Sequence, residues 1–394
     1  MPIHVQAAYN LWLLAAGGAS YGARYMTHRW RTARLPQTFT DENPLDELLS
    51  LQETYGYNAH SLVSVTPGAR IWRDTAIGTK GAVIYSEFGR VWLAAGDPLT
   101  SVDDMAGLGC RFIEAARKQN RIAAFVPVSA RFARDCATQC NLSGIKVGAA
   151  PYFDLQTWAP RGDRAKKLRA GINQAKRAGI SVEPLRIVTP KIVEETAALC
   201  QRWLHARRTA TAFGWLFALD PFRHGERKKF FAARDANGKL VGFLAASPIP
   251  AREGWYLEDV LRQPDAPNGT ADLLVSEALL HLAASGAKLA TLGTSPLATE
   301  GDYDIPKGDH PLVEQALRLT SARLGMFYNF EGLRRFKAKF APTWWESEYV
   351  LAPRGATVSP RVAHAIVRAI APGGISRLLT RHVARSLRPR QSSQ

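Results

Sequence analysis

The sequence predicts an α+β fold in which one order of elements occurs twice, with a basic helix between the two copies. Three observations carry this. Residues 41–160 read as helix, antiparallel strands, helix, strand; residues 181–352 repeat that order; and the cationic run RGDRAKKLRAGINQAKRAG separates them.

In the first copy a helix over Asn43–Tyr55 leads to strands at Ala82–Tyr85 and Arg90–Ala95 around the turn Glu87–Gly89. The breaker Gly96–Asp97–Pro98 ends that pair. A helix over Ser101–Gln119, a strand at Ile122–Pro127, a helix over Ala130–Cys140 and an extended stretch ending near Leu155 follow. In the second copy the helix is Lys191–Arg207, and strands Phe230–Arg234 and Leu240–Ser247 flank the turn Asp235–Asn237–Gly238. A strand at Trp255–Leu261, a helix over Thr270–Ser285 and a strand at Leu289–Gly293 complete it. Two such copies predict tandem acetyltransferase-like domains, 41–160 and 181–352, joined by a basic helix within 161–180. A basic segment, 1–40, precedes them and a basic tail, 353–394, follows.

Charge is unevenly placed along the 394 residues. The 51 Lys and Arg against 34 Asp and Glu give +17. Four arginines and no acid lie within residues 1–40, and eight arginines and no acid follow Glu348. Most of the excess therefore sits at the ends, which points to a polyanionic partner, nucleic acid or an anionic membrane. An apolar share of 46% with 22% charged residues excludes a disordered chain. Four cysteines in this length argue against a disulfide scaffold and suit a reducing compartment; Cys136 and Cys140, with no histidine beside them, read as small core residues rather than metal ligands.

The most apolar stretch, Leu11–Ala19, is too short to span a bilayer and is broken by Gly17 and Gly18. With Arg24, Arg29, Arg31 and Arg34 after it, an interfacial anchor is one reading and a loosely packed helix the other. At the other end, Val362, Ile366, Ile370, Leu378, Leu379 and Val383 alternate with Arg361, Arg368, Arg377, Arg381 and Arg385. That pattern reads as a peripheral membrane anchor whose removal leaves the fold intact.

Three stretches could carry chemistry. In the central basic helix, Leu168, Ile172 and Ala175 form one apolar stripe, while Lys166, Lys167, Arg169, Lys176 and Arg177, with Asn173, offer a phosphate-facing surface. In Tyr256–Leu274, Asp259 and Arg262 lie near a strand end, and Asn268, Gly269 and Thr270 open a helix whose free N–H groups suit a phosphate. An Asp and an Arg bracketing such a site could orient an amine and neutralise an oxyanion; a structural salt bridge is the plain alternative. The Gln/Arg-x-x-Gly-x-Gly/Ala spacing of coenzyme A enzymes is not reproduced here, so no coenzyme A is expected. In Met326–Tyr349, Phe330, Leu333, Phe336 and Phe340 make an apolar stripe beside Arg334, Arg335, Lys337 and Lys339, and Trp344–Trp345 follow Pro342. Four cations and two indoles there suit a nucleic-acid or headgroup contact.

These same residues carry a resemblance. Gly96–Asp97–Pro98, Lys167–Leu168–Arg169 with Asn173, Glu258–Asp259 with Arg262 and Ala266–Gly269, Leu292–Gly293 with Ser295–Leu297, and Asn329–Phe330 through Phe336–Phe340, Pro342 and Trp344 occur in a familiar order and spacing. Over about residues 45–352 the chain resembles the cytosolic catalytic domain of the aminoacyl-phosphatidylglycerol synthases, the multiple peptide resistance factor family.

The resemblance implies a tandem acetyltransferase-like fold and transfer of lysine or alanine from aminoacyl-tRNA to the glycerol hydroxyl of phosphatidylglycerol. By carry-over Asp259, Arg262 and Lys337 or Lys339 would belong to the active site, with the basic helix and Arg334 toward tRNA. The donor ester is already activated, so no metal and no cofactor is expected. The family's multi-span flippase domain is not matched, so membrane contact, on the cytoplasmic face of the inner membrane, is expected from this domain and from Arg377, Arg381 and Arg385. Many relatives carry an acid where this chain has Ala175–Lys176–Arg177–Ala178, a departure that bears on amino-acid choice. Two other readings fit the same residues: a tRNA-dependent transferase with another acceptor, and a non-catalytic tRNA- or membrane-binding relative.

Overall fold

The computed structural model describes residues 44–66, 69–74, 80–206, 219–301, 330–356 and 359–370. Helix α1 (Pro44–Tyr55) and the single turn α2 (Ser61–Ser64) precede β1 (Arg70–Trp72), β2 (Val83–Phe88) and β3 (Val91–Ala95). Then come α3 (Met105–Lys118), β4 (Ile122–Ser129), α4 (Ala130–Gln139) and β5 (Leu142–Asp154). Ser129 starts α4 as an N-cap, its hydroxyl accepting the Phe132 N–H at 3.2 Å.

The basic run forms α5 (Lys166–Arg177), followed by β6 (Ser181–Leu185), α6 (Pro190–Ala206), β7 (Lys229–Arg234), β8 (Leu240–Ile249) and β9 (Gly254–Arg262). Next are α7 (Thr270–Ala284), β10 (Leu289–Thr291), the two-residue β11 (Ser295–Pro296), α8 (Phe330–Ala338), β12 (Trp344–Pro353) and α9 (Pro360–Ile370).

The strands form one sheet in the order β1-β2-β3-β4-β12-β5-β10-β9-β8-β7-β6, with β11 beside β5. Two pairs are parallel, β3 with β4 across α3 and β9 with β10 across α7; the remaining neighbours are antiparallel. Each half thus has an antiparallel meander and then one helical crossover, the connection a parallel pair requires. The halves meet at β5, which pairs with β12 from Leu142 to Tyr152 and with β10 from Tyr152 to Asp154.

Helices cover both faces. Phe112, Phe125, Phe132 and Tyr349 fill the core under α3 and α4, and Leu168, Ala175, Leu274, Leu279 and Phe340 the core under α5 and α7. Ile192, Leu199, Phe230 and Phe243 fill the core under α6.

Four sequence expectations change. Strand β12, unforeseen, takes a central place because its Glu346–Ser347–Glu348 run hides the apolar alternation. Strands β1 and β6 are additional short edges. Cys140 is joined to Cys110 in a disulfide between α3 and the end of α4, while Cys136 is a buried core thiol as expected. Helix α9 turns its apolar stripe onto the sheet: Val362, Ala365 and Ala369 are buried against Val91, Leu93, Ala124 and Val350. That stripe is core rather than membrane anchor. Arg377, Arg381 and Arg385, and the segment 1–40, lie outside the described residues. No helix among the described residues is long and apolar enough to cross a membrane.

The burial of Val362 makes α9 a structural element. Val362→Asp should destabilise the fold by on the order of 3 kcal/mol, because an unpaired carboxylate would enter an apolar contact. Deletion of residues 360–394 should lower the melting temperature in a calorimetric scan; an unchanged transition in both variants would return the helix to the role of a dispensable tail.

Candidate functional site

Strand β9 carries a bulge. Ala245 of β8 faces Asp259, yet its neighbour Ala246 faces Leu257, so Glu258 is an inserted residue. The insertion flips the side-chain phase: Leu257 enters the core under α5 and α7, whereas Leu261 enters the core under α6. Glu258 forms an ion pair with Lys228, and the two side chains are 7% and 3% exposed. The Ser247 hydroxyl donates to the other Glu258 oxygen at 2.8 Å. Burial first, and the Glu258 carboxylate second, push the neighbouring Asp259 carboxyl well above its ordinary range, with Lys228 opposing them. Arg223, bonded to Asp220 at 2.9 Å, lies close to the same carboxyl.

A second set of buried groups comes from α8 and β12. Phe336 and Phe340, four apart, anchor α8 in the core under α7, and Lys337 between them turns toward the end of β10. Its Nζ donates to Gly293 O at 2.8 Å and Thr294 O at 2.7 Å. Burial lowers its amine to about 7, against the attraction of Glu348. Glu348 is itself 4% exposed, and burial raises its carboxyl to about 7. His60, its ring tilted 49° against Tyr256 at 5.5 Å and its Nδ1 3.2 Å from Asn58 Oδ1, is held neutral by burial and by Lys337, which lower it to about 4. Gly293 has φ +69°, and a Cβ there would stand 2.4 Å from the Tyr256 ring, so the turn that supplies Lys337 with its carbonyls requires glycine. Asp97, of the Gly96–Asp97–Pro98 breaker, accepts the Ser129 N–H at 2.9 Å and is raised to about 6, chiefly by burial.

The residues expected from sequence divide into three groups. Lys337 is one of these buried groups, and Asp259 is partly buried beside the Glu258–Lys228 pair. Arg262 leaves β9 three residues after Asp259, on the opposite face, and donates to Ala266 O at 3.3 Å. The two do not bracket one phosphate.

The Asn268–Gly269–Thr270 helix start is closed. Helix α5 crosses it so tightly that a Cβ on Gly269, at φ +87°, would lie 1.9 Å from Gly171 O; a Cβ on Gly171 would meet an Asp272 oxygen at 2.0 Å. The Thr270 hydroxyl donates to Pro267 O at 2.7 Å and caps no N–H. Lys339 pairs with Asp272 at 2.5 Å, and Arg334 is held by Glu331 and Glu300. On α5, Leu168 and Ala175 are buried as the apolar stripe predicts, and Lys166, Lys167, Asn173, Lys176 and Arg177 face outward. Lys176 reaches Glu277 at 3.4 Å, while Arg169 donates to Gly162 O at 2.6 Å.

Sequence reasoning passed over Lys228, His60, Tyr256 and Glu348 as site residues. Only the adjacent acids Glu258–Asp259 signalled unusual electrostatics; the others are single residues made ionically important by burial.

The neutral His60 has a consequence for stability. Its folded titration lies below the ordinary 6.5, so stability is fully present above that value and lost as pH falls toward 4. Between pH 6.5 and 4 the unfolding free energy of the wild-type chain should fall by on the order of 3 kcal/mol more than that of His60→Gln, measured by urea denaturation. Parallel pH curves would show that His60 titrates as in water.

Comparison with known proteins places this geometry. Residues 51–352 match the family model described as phosphatidylglycerol lysyltransferase, C-terminal. A phosphatidylglycerol lysyltransferase of Bacillus subtilis (strain 168) is 27% identical over 204 residues, 50% of this chain and 22% of that protein. One from Staphylococcus haemolyticus is 22% identical over 318 residues, 79% of this chain and 36% of the relative. The chain therefore spans only about a fifth to a third of these relatives. Among solved structures, the C-terminal domain of a putative lysylphosphatidylglycerol synthetase from Agrobacterium fabrum has a TM-score of 0.69 at 24% identity, covering 84% of this chain and 97% of its own. L-PGS from Bacillus licheniformis has a TM-score of 0.68 at 18% identity, covering 88% and 99%; both likenesses concern the fold. With its family match extending from α1 to the end of β12, the chain belongs to the phosphatidylglycerol lysyltransferase C-terminal family.

Proposed function

We propose that this chain transfers an amino acid, lysine or alanine, from aminoacyl-tRNA to the glycerol hydroxyl of phosphatidylglycerol, at the cytoplasmic face of the membrane. In this reading residues 41–160 and 181–352 are two acetyltransferase-like domains, and the basic helix within 161–180 links them. The observation that carries the reading is two sets of ionisable groups drawn out of water: Asp259 beside the Glu258–Lys228 pair, and Lys337 with Glu348. All lie within residues matched to a family whose relatives are named phosphatidylglycerol lysyltransferases.

The reaction exchanges one ester for another. The glycerol oxygen bonds to the aminoacyl carbon, the bond from that carbon to the tRNA ribose oxygen breaks, and a proton passes from glycerol to ribose. Nothing needs activation, so the protein's tasks are positioning, proton transfer and stabilisation of a tetrahedral oxyanion. Asp259, whose burial raises its proton affinity, is assigned proton transfer or the hold on the α-amine. Lys337 uses two N–H bonds on main-chain carbonyls; when protonated it has a third for the developing oxyanion.

The outward cations Lys166, Lys167, Lys176 and Arg177, with Asn173, are assigned to the tRNA backbone. The closed start of α7 supports a donor other than coenzyme A, because that junction is the pyrophosphate site of the acetyltransferase fold. Peripheral membrane contact is assigned to the basic ends, Arg377, Arg381 and Arg385 included.

A transfer assay tests this. Phosphatidylglycerol liposomes and tRNA charged with radiolabelled lysine, or separately alanine, should yield a labelled lipid only when tRNA is present. Asp259→Asn should cut the rate by about a hundredfold or more, with tRNA and liposome binding within a few-fold of wild type. Charged tRNA consumed without labelled lipid would mean another acceptor; binding with no turnover would mean a non-catalytic relative.

A further inference from the structure

Where α4 meets β12 the surface holds a groove of about 250 Å³, lined by Tyr57, Ser129, Arg131, Arg134, Trp344 and Trp345, with Glu346 on its wall. We infer that this groove takes the 3′-terminal nucleotide of the aminoacyl-tRNA, its base against the partly exposed Trp345 indole and its phosphate between the two arginines. The inference rests on the transfer reading above and adds a site for the donor's end.

The groove is built to receive an anion despite Glu346. That carboxylate is already engaged: Arg252 grips both of its oxygens, at 2.9 and 2.5 Å, and the Trp344 indole N–H donates to it at 2.9 Å. Arg252 in turn lies over the rings of Tyr152 and Tyr57, at 4.4 and 5.1 Å. Trp344 stacks on Tyr152 at 5.5 Å with an 11° tilt. One wall is thus a neutral, fixed stack of rings and paired charges.

The other wall is cationic, and Arg131 on it is only loosely paired. Arg131 is 45% exposed, and its acidic neighbours stand at 3.4 Å, where Asp103 is itself 96% exposed, and at 3.9 Å for Asp135. Pairs of that kind contribute little and give way readily to a phosphate, which a guanidinium grips with two N–H groups. Arg134 is exposed one helical turn further along α4. Trp345 is partly exposed and has no ring partner among the described residues. A purine with a phosphate attached meets all three demands: ring stacking, planar charge recognition and the size of the space. The glycerol phosphate of a lipid head would use the arginines but leave the indole idle.

Two lining residues of the groove are next to buried groups in the chain or by a hydrogen bond. Ser129 on its floor donates its N–H to Asp97, and Ser347 on its edge is followed by Glu348, the neighbour of Lys337.

The test uses the full chain and adenosine 5′-monophosphate. The nucleotide should quench tryptophan fluorescence saturably, and Arg131→Ala/Arg134→Ala should weaken it by about tenfold, as should Trp345→Leu. In the transfer assay the double variant should raise KM for aminoacyl-tRNA by a similar factor, leaving kcat within twofold and KM for phosphatidylglycerol unchanged. No saturable quenching, or quenching indifferent to the variants, overturns the assignment. So does a rise in KM for phosphatidylglycerol instead of tRNA, which would make the groove a headgroup site. Nucleotide binding that depends on these residues without any labelled lipid would uphold the site while overturning the lipid transfer reading.

Discussion

The double pairing of β5 is the constraint on which the rest of the molecule depends. A strand of thirteen residues gives most of its length to β12 and its last three residues to β10, so both halves share one hydrogen-bonded ladder. Strand β12 reaches that place from the far end of the chain and separates β5 from β4. The strands that pair with β5 are all remote from it in sequence, which fixes the halves in register rather than leaving them joined by a linker alone.

That register decides the electrostatics. Because β12 is central, Glu348 is buried between β4 and β5, and α8 brings Lys337 to the carbonyls at the end of β10. An amine lowered to about 7 and a carboxyl raised to about 7 both follow from burial, with each group partly offsetting the other's penalty. Buried ionisable groups are costly to a fold, and Lys337 and Glu348 meet that cost in part through each other. The neutral His60 and the raised Asp259 belong to the same economy of exclusion from water.

A single inserted residue and a single close approach shape the remainder. The bulge at Glu258 lets two acids adjacent in sequence stand where strict alternation would send one away, and it gives Asp259 to the α6 side while Arg262 goes to the other. The contact of Gly171 with Gly269 seats α5 on the start of α7, so the basic helix covers the niche where its cations might have met a phosphate and presents them outward instead. Two glycines make this possible, since any side chain at either position would collide with backbone or carboxylate.

Much of the element order was legible in the sequence, because periodicity and turn chemistry act over a few residues: α1, α3, α4, α6 and α7 fall within a few residues of their predicted bounds, and α5 buries Leu168 and Ala175 as its stripe requires. The charge of α5 and the motif order around Asp259 and Lys337 were equally local. What only the tertiary structure decided was how each such feature is used. The stripe on α9 fits a membrane as well as a sheet, and Val91, Leu93 and Val350 settle the matter. The acids of β12 disguise a central strand because the groups that bury them lie far away in the chain. Which face of the sheet Asp259 takes, and which Arg262, depends on a bulge set by β8, and the helix start at Gly269 is open or closed according to where α5 packs. Local sequence fixes what a segment can form; burial and register, being properties of distant partners, fix which side chains lose water and so acquire chemistry.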